Sequence, residues 1–277
     1  MTRLRVAAAQ IECRPGDLAA NLGLHLEAIG AARAAGVDLV VFAELSLTDY
    51  LGAPDCAALA LPPDAAPFAE IAAAAGPMAV SLGFIERAAD GRCHNAQALL
   101  AGDGGRTVHR KLNLPGYGRL TETRHYAGGD RLDPVPLGGW SVATLICADA
   151  WNPALPWLAA LRGADLLALP TASARSAVGA EFDNPGGWRT VLAHTALVYG
   201  LPTVFVNHCG TRGALDFWGG SRILDADGSV LAQAGEGPEL LVADLALARV
   251  RRARDLLPTM RDADPDLIAR LLAASAQ

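Results

Sequence analysis

The sequence predicts an α/β protein whose mixed β-sheets are covered by helices. Three observations predict it. Strand–helix–strand units, which lay strands parallel, share the chain with hairpins, which lay them antiparallel. Some apolar runs are short and unbroken, as in strands buried on both faces. No linker, low-complexity segment or tandem repeat interrupts the 277 residues. One domain over residues 1–277 is therefore expected, with a helical tail from about 245 to 277.

Each element follows from local chemistry. Residues 4–9 read as a strand ending at Gln10. Asp17 can cap a helix whose apolar positions include Leu18, Leu22, Leu26 and Ile29, and Gly36 stops it. Residues 38–42, Asp-Leu-Val-Val-Phe, form a buried strand. Residues 67–75 read as a helix and 78–85 as a strand. Residues 95–100 pair with 107–110 across an Asp103-Gly104 turn. A strand at 141–147, a helix at 154–162 and a strand at 165–169 follow. Next come a helix at 187–199 and a strand at 203–207. Residues 221–224 and 230–234 flank an Asp227-Gly228 turn, and 240–244 form a last strand. The tail from Val250 is a helix, Pro258, then a second short helix. Its run Arg249-Val-Arg-Arg-Ala-Arg254 reads as a solvated or salt-bridged face.

Composition excludes several classes. A net charge of -6 offers no basic footprint for nucleic acid. No uninterrupted apolar run approaches the ~18 residues of a membrane span. Met1 to Val6 is too charged for a secretory signal. Cys13, Cys56, Cys93, Cys147 and Cys209 are dispersed, odd in number and without CxxC. That argues against a disulfide framework or structural zinc, and for a reducing cytoplasm. Of the 23 basic residues only Lys111 is a lysine. In a chain that uses arginine so freely, a retained ammonium suggests a task for a compact, rotatable donor.

Three residues capable of chemistry share one property. Glu44 follows the strand at 38–42, Lys111 follows the strand at 107–110, and Cys147 ends the strand at 141–147. Strand ends are where open sheets present catalytic groups. A Glu, a Lys and a Cys supply a base, an oxyanion donor and a nucleophile.

The flanking text adds a resemblance. Val40-Val-Phe-Ala-Glu44-Leu-Ser-Leu-Thr-Asp-Tyr50 resembles the base motif of the nitrilase (carbon–nitrogen hydrolase) superfamily. His109-Arg-Lys111-Leu-Asn-Leu-Pro-Gly-Tyr-Gly118 resembles its lysine motif. Thr144-Leu-Ile-Cys147-Ala-Asp-Ala-Trp151-Asn-Pro153 resembles its nucleophile motif, and the three occur in the family's order. Ala8-Ala-Gln10 with Pro15-Gly-Asp17 and Asn21 is similar to the opening segment, and Phe217-Trp-Gly-Gly-Ser221 with Asp225-Ala-Asp-Gly228 to the closing hairpin.

The resemblance implies a four-layer α-β-β-α sandwich, with members commonly pairing as homodimers. It implies hydrolysis of a non-peptide C–N bond through a Cys thioester, with no metal or organic cofactor. It makes Glu44 the base, Lys111 the oxyanion donor, Cys147 the nucleophile and the Ala148 N–H a second oxyanion donor. Glu122, in Arg119-Leu-Thr-Glu-Thr-Arg-His-Tyr126, matches a second glutamate thought to orient the lysine and substrate. Tyr50, Trp151, Asn152, Arg175 and Trp188 are candidates to line the pocket, for which the Ala-rich surroundings suggest roominess. Asp149 reads as a structural cap and His194 as a core histidine, while His208 stays outside the candidate site.

Departures from the family narrow the substrate. Ala148 follows the nucleophile, where nitrilases usually carry Trp-Glu, and Ala148-Asp-Ala150 offers no arginine for a substrate carboxylate. A small-molecule amide is therefore favoured over nitrile or N-carbamoyl substrates. Thioester-mediated acyl transfer and a catalytically silent scaffold remain the alternatives. A papain-like pair would need His194 or His208 beside Cys147 and would leave the Glu and Lys motifs unused.

Overall fold

The computed structural model describes residues 2–51, 54–62 and 64–275. The first half builds one sheet from β1 (Arg3–Gln10), β2 (Leu39–Phe42), β3 (Ala79–Arg87), β4 (Cys93–Leu100) and β5 (Arg106–Arg110). The second builds another from β6 (Val135–Leu137), β7 (Trp140–Thr144), β8 (Leu166–Pro170), β9 (Thr203–Val206), β12 (Arg222–Leu224) and β13 (Val230–Gln233). Strand β14 (Glu239–Ala246) returns to the first sheet, giving the orders β14-β1-β2-β3-β4-β5 and β13-β12-β9-β8-β7-β6. Both sheets have three parallel strands at the centre and antiparallel strands at the flanks. The mixed character read from the sequence is thus present in each sheet.

The sheets pack face to face. Val6, Ala8, Leu39 and Val41 of the first meet Val142, Ala168, Val204 and Val206 of the second in one buried cluster. The alternate residues of the same strands face outward. Ala7, Ala9, Val40 and Phe42 lie under α1 (Leu18–Ala34) and α3 (Ala66–Ala75), through Ile29, Ala32, Phe68 and Ile71. Leu167, Leu169 and Phe205 lie under α4 (Ala154–Leu161) and α5 (Asn184–Tyr199), through Ala159, Trp188 and Leu192. Both faces of the central strands are buried, which is why they read as unbroken apolar runs. The result is a four-layer α-β-β-α sandwich.

Local signals hold at many ends. Asp17 Oδ1 accepts from Ala20 N–H at 3.0 Å, and Gly36 takes φ +68° past the end of α1. Gly104 and Gly228 sit at φ +87° and +81° in the two expected turns. Of the arginine run, Arg249 pairs with Asp225 and Asp227, and Arg254 donates to Ala164 O at 2.6 Å. The tail is α6 (Leu247–Leu256) followed by α7 (Pro265–Ser275).

Other boundaries differ. The expected strand at 141–147 ends at Thr144. Leu145 N–H still reaches Ala168 O at 3.1 Å, but Ile146 N–H goes to Asp149 Oδ2 at 2.9 Å, which turns the chain out of the ladder. Helix α5 starts at Asn184 rather than 187, because Asp183 caps it and Pro185 occupies its first turn. The short α2 (Cys56–Leu59), strand β6 and the hairpin of β10 (Cys209–Arg212) with β11 (Leu215–Trp218) carry no clear periodic signal in the sequence. His194, expected in the core, is exposed and lies edge-on to Tyr199, because its side of α5 faces away from the sheet.

Candidate active site

Glu44 lies two residues beyond β2, fully buried. The chain turns there: Leu45 takes φ +52° and Asp49 φ +63°. Strand β3 passes so close that a Cβ on Gly83 would sit 2.1 Å from Leu45 N and 2.8 Å from Glu44 C. His208 Nε2 donates to Glu44 O at 2.6 Å from the far sheet. The backbone of this acid is therefore held from both sheets. His208, left outside the site by sequence reasoning, is one of its supports.

Lys111 follows β5, and its backbone stays tied to the sheet through Asn95 O at 2.9 Å. The buried ammonium lies 2.6 Å from Glu44 Oε1 and 2.8 Å from Glu122 Oε1. Glu122 opens a short 3-10 turn and also accepts from Tyr50 Oη at 2.8 Å. Asn95 Nδ2 donates to Glu44 Oε1 at 2.6 Å and to Glu122 Oε2 at 3.5 Å. Two capacities remain unspent. Glu44 Oε2 is buried without a hydrogen-bond partner. An ammonium has three donors, of which the two carboxylates engage two.

The charges adjust to this crowding. Burial works against the Lys111 ammonium, but Glu122 and then Glu44 outweigh it and hold its pKa well above the usual value. Burial pushes the Glu122 carboxyl up to about 7; Glu44 adds to this, while Lys111 opposes it. Tyr50 is held well above its usual value by burial and by the two glutamates, so its phenol stays a donor.

Cys147 opens a second 3-10 turn, Cys147–Trp151, at φ +46°. Among the described residues only Leu45, Asp49 and Cys147 hold a positive φ without being glycine, and all three lie in this region. Such backbone costs about 1–3 kcal/mol per residue and clusters at functional sites. Burial raises the thiol well above its usual pKa and Glu44 raises it further, against the pull of Lys111 and of the Ala172 N–H. Both of the larger influences thus favour the thiol over the thiolate, so a base within reach of the sulfur would help it to act as a nucleophile.

A narrow cavity of about 30 Å³ opens over the sulfur. Tyr50, Trp151 and Trp188 line it, as do Tyr117 and Val178. The roominess expected from the alanines is absent, and these large side chains are among the walls that narrow the cavity. Asn152 and Arg175 do not line it. Asn152 Oδ1 caps α4 by accepting from Ala154 N–H at 3.2 Å, and Arg175 is drawn outward to Asp216 and Glu236. Sequence reasoning missed Asn95, Ser173 and Ala172. Ser173 Oγ accepts from Trp188 Nε1 and Asn184 Nδ2, both at 2.9 Å, and so ties together three residues of the cavity lining. Asn95 sits mid-strand in a hairpin, where no sequence signal marks it.

A wider groove of about 760 Å³ lies elsewhere, between α1 and the β10–β11 hairpin, and contains none of the candidate catalytic residues. Beside it, Cys13, Asp49 and His208 bring donor atoms within 4.8 Å of one another. Arg212 Nε already sits 2.5 Å from Asp49 Oδ2, so a guanidinium supplies the positive charge that a metal would bring.

The model of the family described as carbon–nitrogen hydrolase matches residues 5–255. A Pseudomonas protegens protein named "Hydrolase in pqqF 5'region" is 33% identical over 270 residues, 95% of this chain and 90% of that protein. An (R)-stereoselective amidase from Pseudomonas sp is 30% identical over 256 residues, 91% of this chain and 88% of that protein. Among solved structures, a variant of the amidase from Nesterenkonia sp. AN1 superposes with TM-score 0.80 at 26% identity, covering 97% of both chains. That crystal carries covalent addition of the acetamide moiety of fluoroacetamide at the active site cysteine. With the family model matched across nearly its whole length, this chain belongs to the carbon–nitrogen hydrolase family of the nitrilase superfamily.

Proposed function

We propose that this protein is an amidase that hydrolyses a small, uncharged linear amide to a carboxylate and ammonia or an amine. The observation that carries the reading is the pair of unspent capacities beside the half-buried Cys147: the free oxygen of Glu44 and the third donor of Lys111.

On this reading Glu44 takes the Cys147 proton as sulfur bonds to the amide carbon. The carbonyl oxygen becomes an oxyanion, met by the Lys111 ammonium and the Ala148 N–H. Glu44 returns the proton to the departing nitrogen as the C–N bond breaks, leaving a thioester on Cys147. Water then attacks the thioester carbon and gives Glu44 its proton. The C–S bond breaks, and the proton goes back to sulfur. Glu122 stays beside Lys111 and holds the ammonium in place, itself steadied by Tyr50. No step calls for a metal or organic cofactor.

The cavity supports the substrate class. Among its described lining residues no arginine or lysine waits for a substrate carboxylate, and Tyr50, Tyr117, Trp151 and Trp188 offer mostly apolar surface. An N-carbamoyl amino acid would bury an unpaired charge there, at a cost of several kcal/mol. The reading also takes the enzyme as a cytoplasmic homodimer of single-domain chains, in keeping with five unpaired thiols and with the habit of the family.

The test is ammonia release from a panel of small neutral amides, N-carbamoyl amino acids and nitriles, for wild type and Cys147→Ala. Neutral amides are expected to turn over fastest, and Cys147→Ala to be inactive. Intact-protein mass spectrometry with a slow substrate should trap one acyl group on Cys147. An acyl group on another cysteine, or turnover by Cys147→Ala, overturns the reading.

A further inference from the structure

We infer that Asp149 is a positioning residue whose carboxylate latches the lysine loop onto the nucleophile turn, setting the distance between the Lys111 ammonium and the Cys147 sulfur. The inference rests on the catalytic reading of Cys147 and Lys111 given above.

The geometry is that of a two-ended clamp. Oδ1 of Asp149 accepts from Leu112 N–H at 3.0 Å and from Asn113 N–H at 2.6 Å, the two amides that follow Lys111. Oδ2 accepts from Ile146 N–H at 2.9 Å, the amide that precedes Cys147. The residue is fully buried. One end therefore grips the chain leaving β5 of the first sheet, and the other grips the chain leaving β7 of the second. Among the described residues it alone joins, by hydrogen bonds, the backbones beside both groups. A local cap would need only the Ile146 bond.

The chemistry requires a carboxylate. All three partners are N–H donors, so both oxygens must accept. An amide in the same place has only one accepting end. Asp149→Asn can keep the grip on Leu112 and Asn113 or the grip on Ile146, but its NH₂ then faces a donor at the other end. Beside these three amides, His109 Nε2 lies 3.7 Å from Oδ2, near enough for an ion pair when the imidazole is protonated but beyond hydrogen-bond distance.

Loosening the latch should show in the chemistry rather than in binding. The cavity walls include Tyr50, Tyr117, Trp151 and Trp188, and none of these is a hydrogen-bond partner of the carboxylate. A displacement of about 1 Å between reacting groups can cost about 100-fold in rate.

The experiment compares wild type, Asp149→Asn and Cys147→Ala. Folding is checked by circular dichroism and Tm. The readouts are kcat, KM and the pH dependence of Cys147 alkylation by iodoacetamide, followed by peptide mass spectrometry. The charged and titratable groups facing the thiol are Glu44, Lys111, Glu122, Tyr50 and Tyr117, and His109 faces Asp149. Lys111 favours the thiolate, so moving it away shifts the alkylation profile to higher pH. Folded Asp149→Asn is expected to lose about 10- to 100-fold in kcat with KM within about threefold, and to show that shift. A folded Asp149→Asn with wild-type kcat and an unmoved profile overturns the latch. Should it fail to fold, Asp149→Glu, which keeps two acceptor oxygens, takes its place; the same shift in a smaller degree is expected. Loss of the fold in both variants makes Asp149 a folding residue and overturns the positioning role. Turnover by Cys147→Ala would instead overturn the catalytic reading, whatever Asp149 does.

Discussion

At the scale of the residue, Lys111 shows why one cation type does not replace another. It is the single lysine among 23 basic residues, and Arg110 stands beside it. Arg110 makes a two-pronged contact with Glu86 at 2.6 and 2.9 Å, a task suited to a planar fork. Lys111 does the opposite work, pointing one compact charge at Glu44 and Glu122 with a donor to spare. A guanidinium is wider, and no accessible space surrounds the fully buried ammonium. Lys111→Arg is therefore expected to keep the charge and lose the function. Removing one oxyanion donor costs about 10²–10³ in kcat, and this variant should fall at least that far. Steady-state kinetics on a protein of unchanged circular dichroism is the check, and near-normal kcat would refute the oxyanion role. Glu44, Lys111 and Cys147 were legible because a motif surrounds each of them in the chain. Asn95 was not, because its importance lies in two carboxylates that reach it from residues 44 and 122.

At the scale of the element, the site is a matter of how strands end. The strands themselves were readable, since burial on both faces leaves an apolar run that few other structures produce. Their ends were less so. The strand before Cys147 stops early because Asp149 takes the Ile146 amide, a decision made by a turn that the apolar pattern does not record. The turn at Glu44 likewise depends on β3, where Gly83 leaves room for a neighbouring backbone. Its N–H donates to Ser46 Oγ at 3.1 Å, and its carbonyl accepts from Leu47 N–H at 2.9 Å, so strand and loop are bonded as well as close. Gly83→Ala places a methyl 2.6 Å from Ala43 O. Backbone rather than a flexible side chain must then move, and overpacking of this kind costs about 1–3 kcal/mol. A lower urea midpoint is expected together with reduced kcat, because the atoms displaced belong to Glu44 and its neighbours. Wild-type stability and activity in Gly83→Ala would show that the close approach is not needed.

At the scale of the whole molecule, the two sheets meet around a buried cluster of charge. Glu44, Asn95 and Lys111 come from the first sheet, whereas Cys147 and Ala172 come from the second, so the site exists only when the sheets dock. Docking removes Glu44, Glu122 and Lys111 from water, and two carboxylates then share one ammonium. Glu122 bears the consequence, its carboxyl raised from 4.5 to about 7 by burial first and by Glu44, with Lys111 in opposition. The sign of the linkage follows. Between these two values the native state holds a proton that the unfolded chain has released, so stability falls as pH rises through the window. Glu122→Gln cannot titrate and lacks this contribution. The stability of wild type relative to Glu122→Gln is therefore expected to decline from about pH 4.5 to about pH 7 and to level off above it. Urea denaturation of both proteins across this range measures the difference, which cancels the titrations the two share. A flat difference would mean that Glu122 ionises as freely in the folded protein as in the unfolded chain. A decline would mean that the fold carries a cost at neutral pH to keep a second carboxylate against the ammonium, where the proposed chemistry needs it.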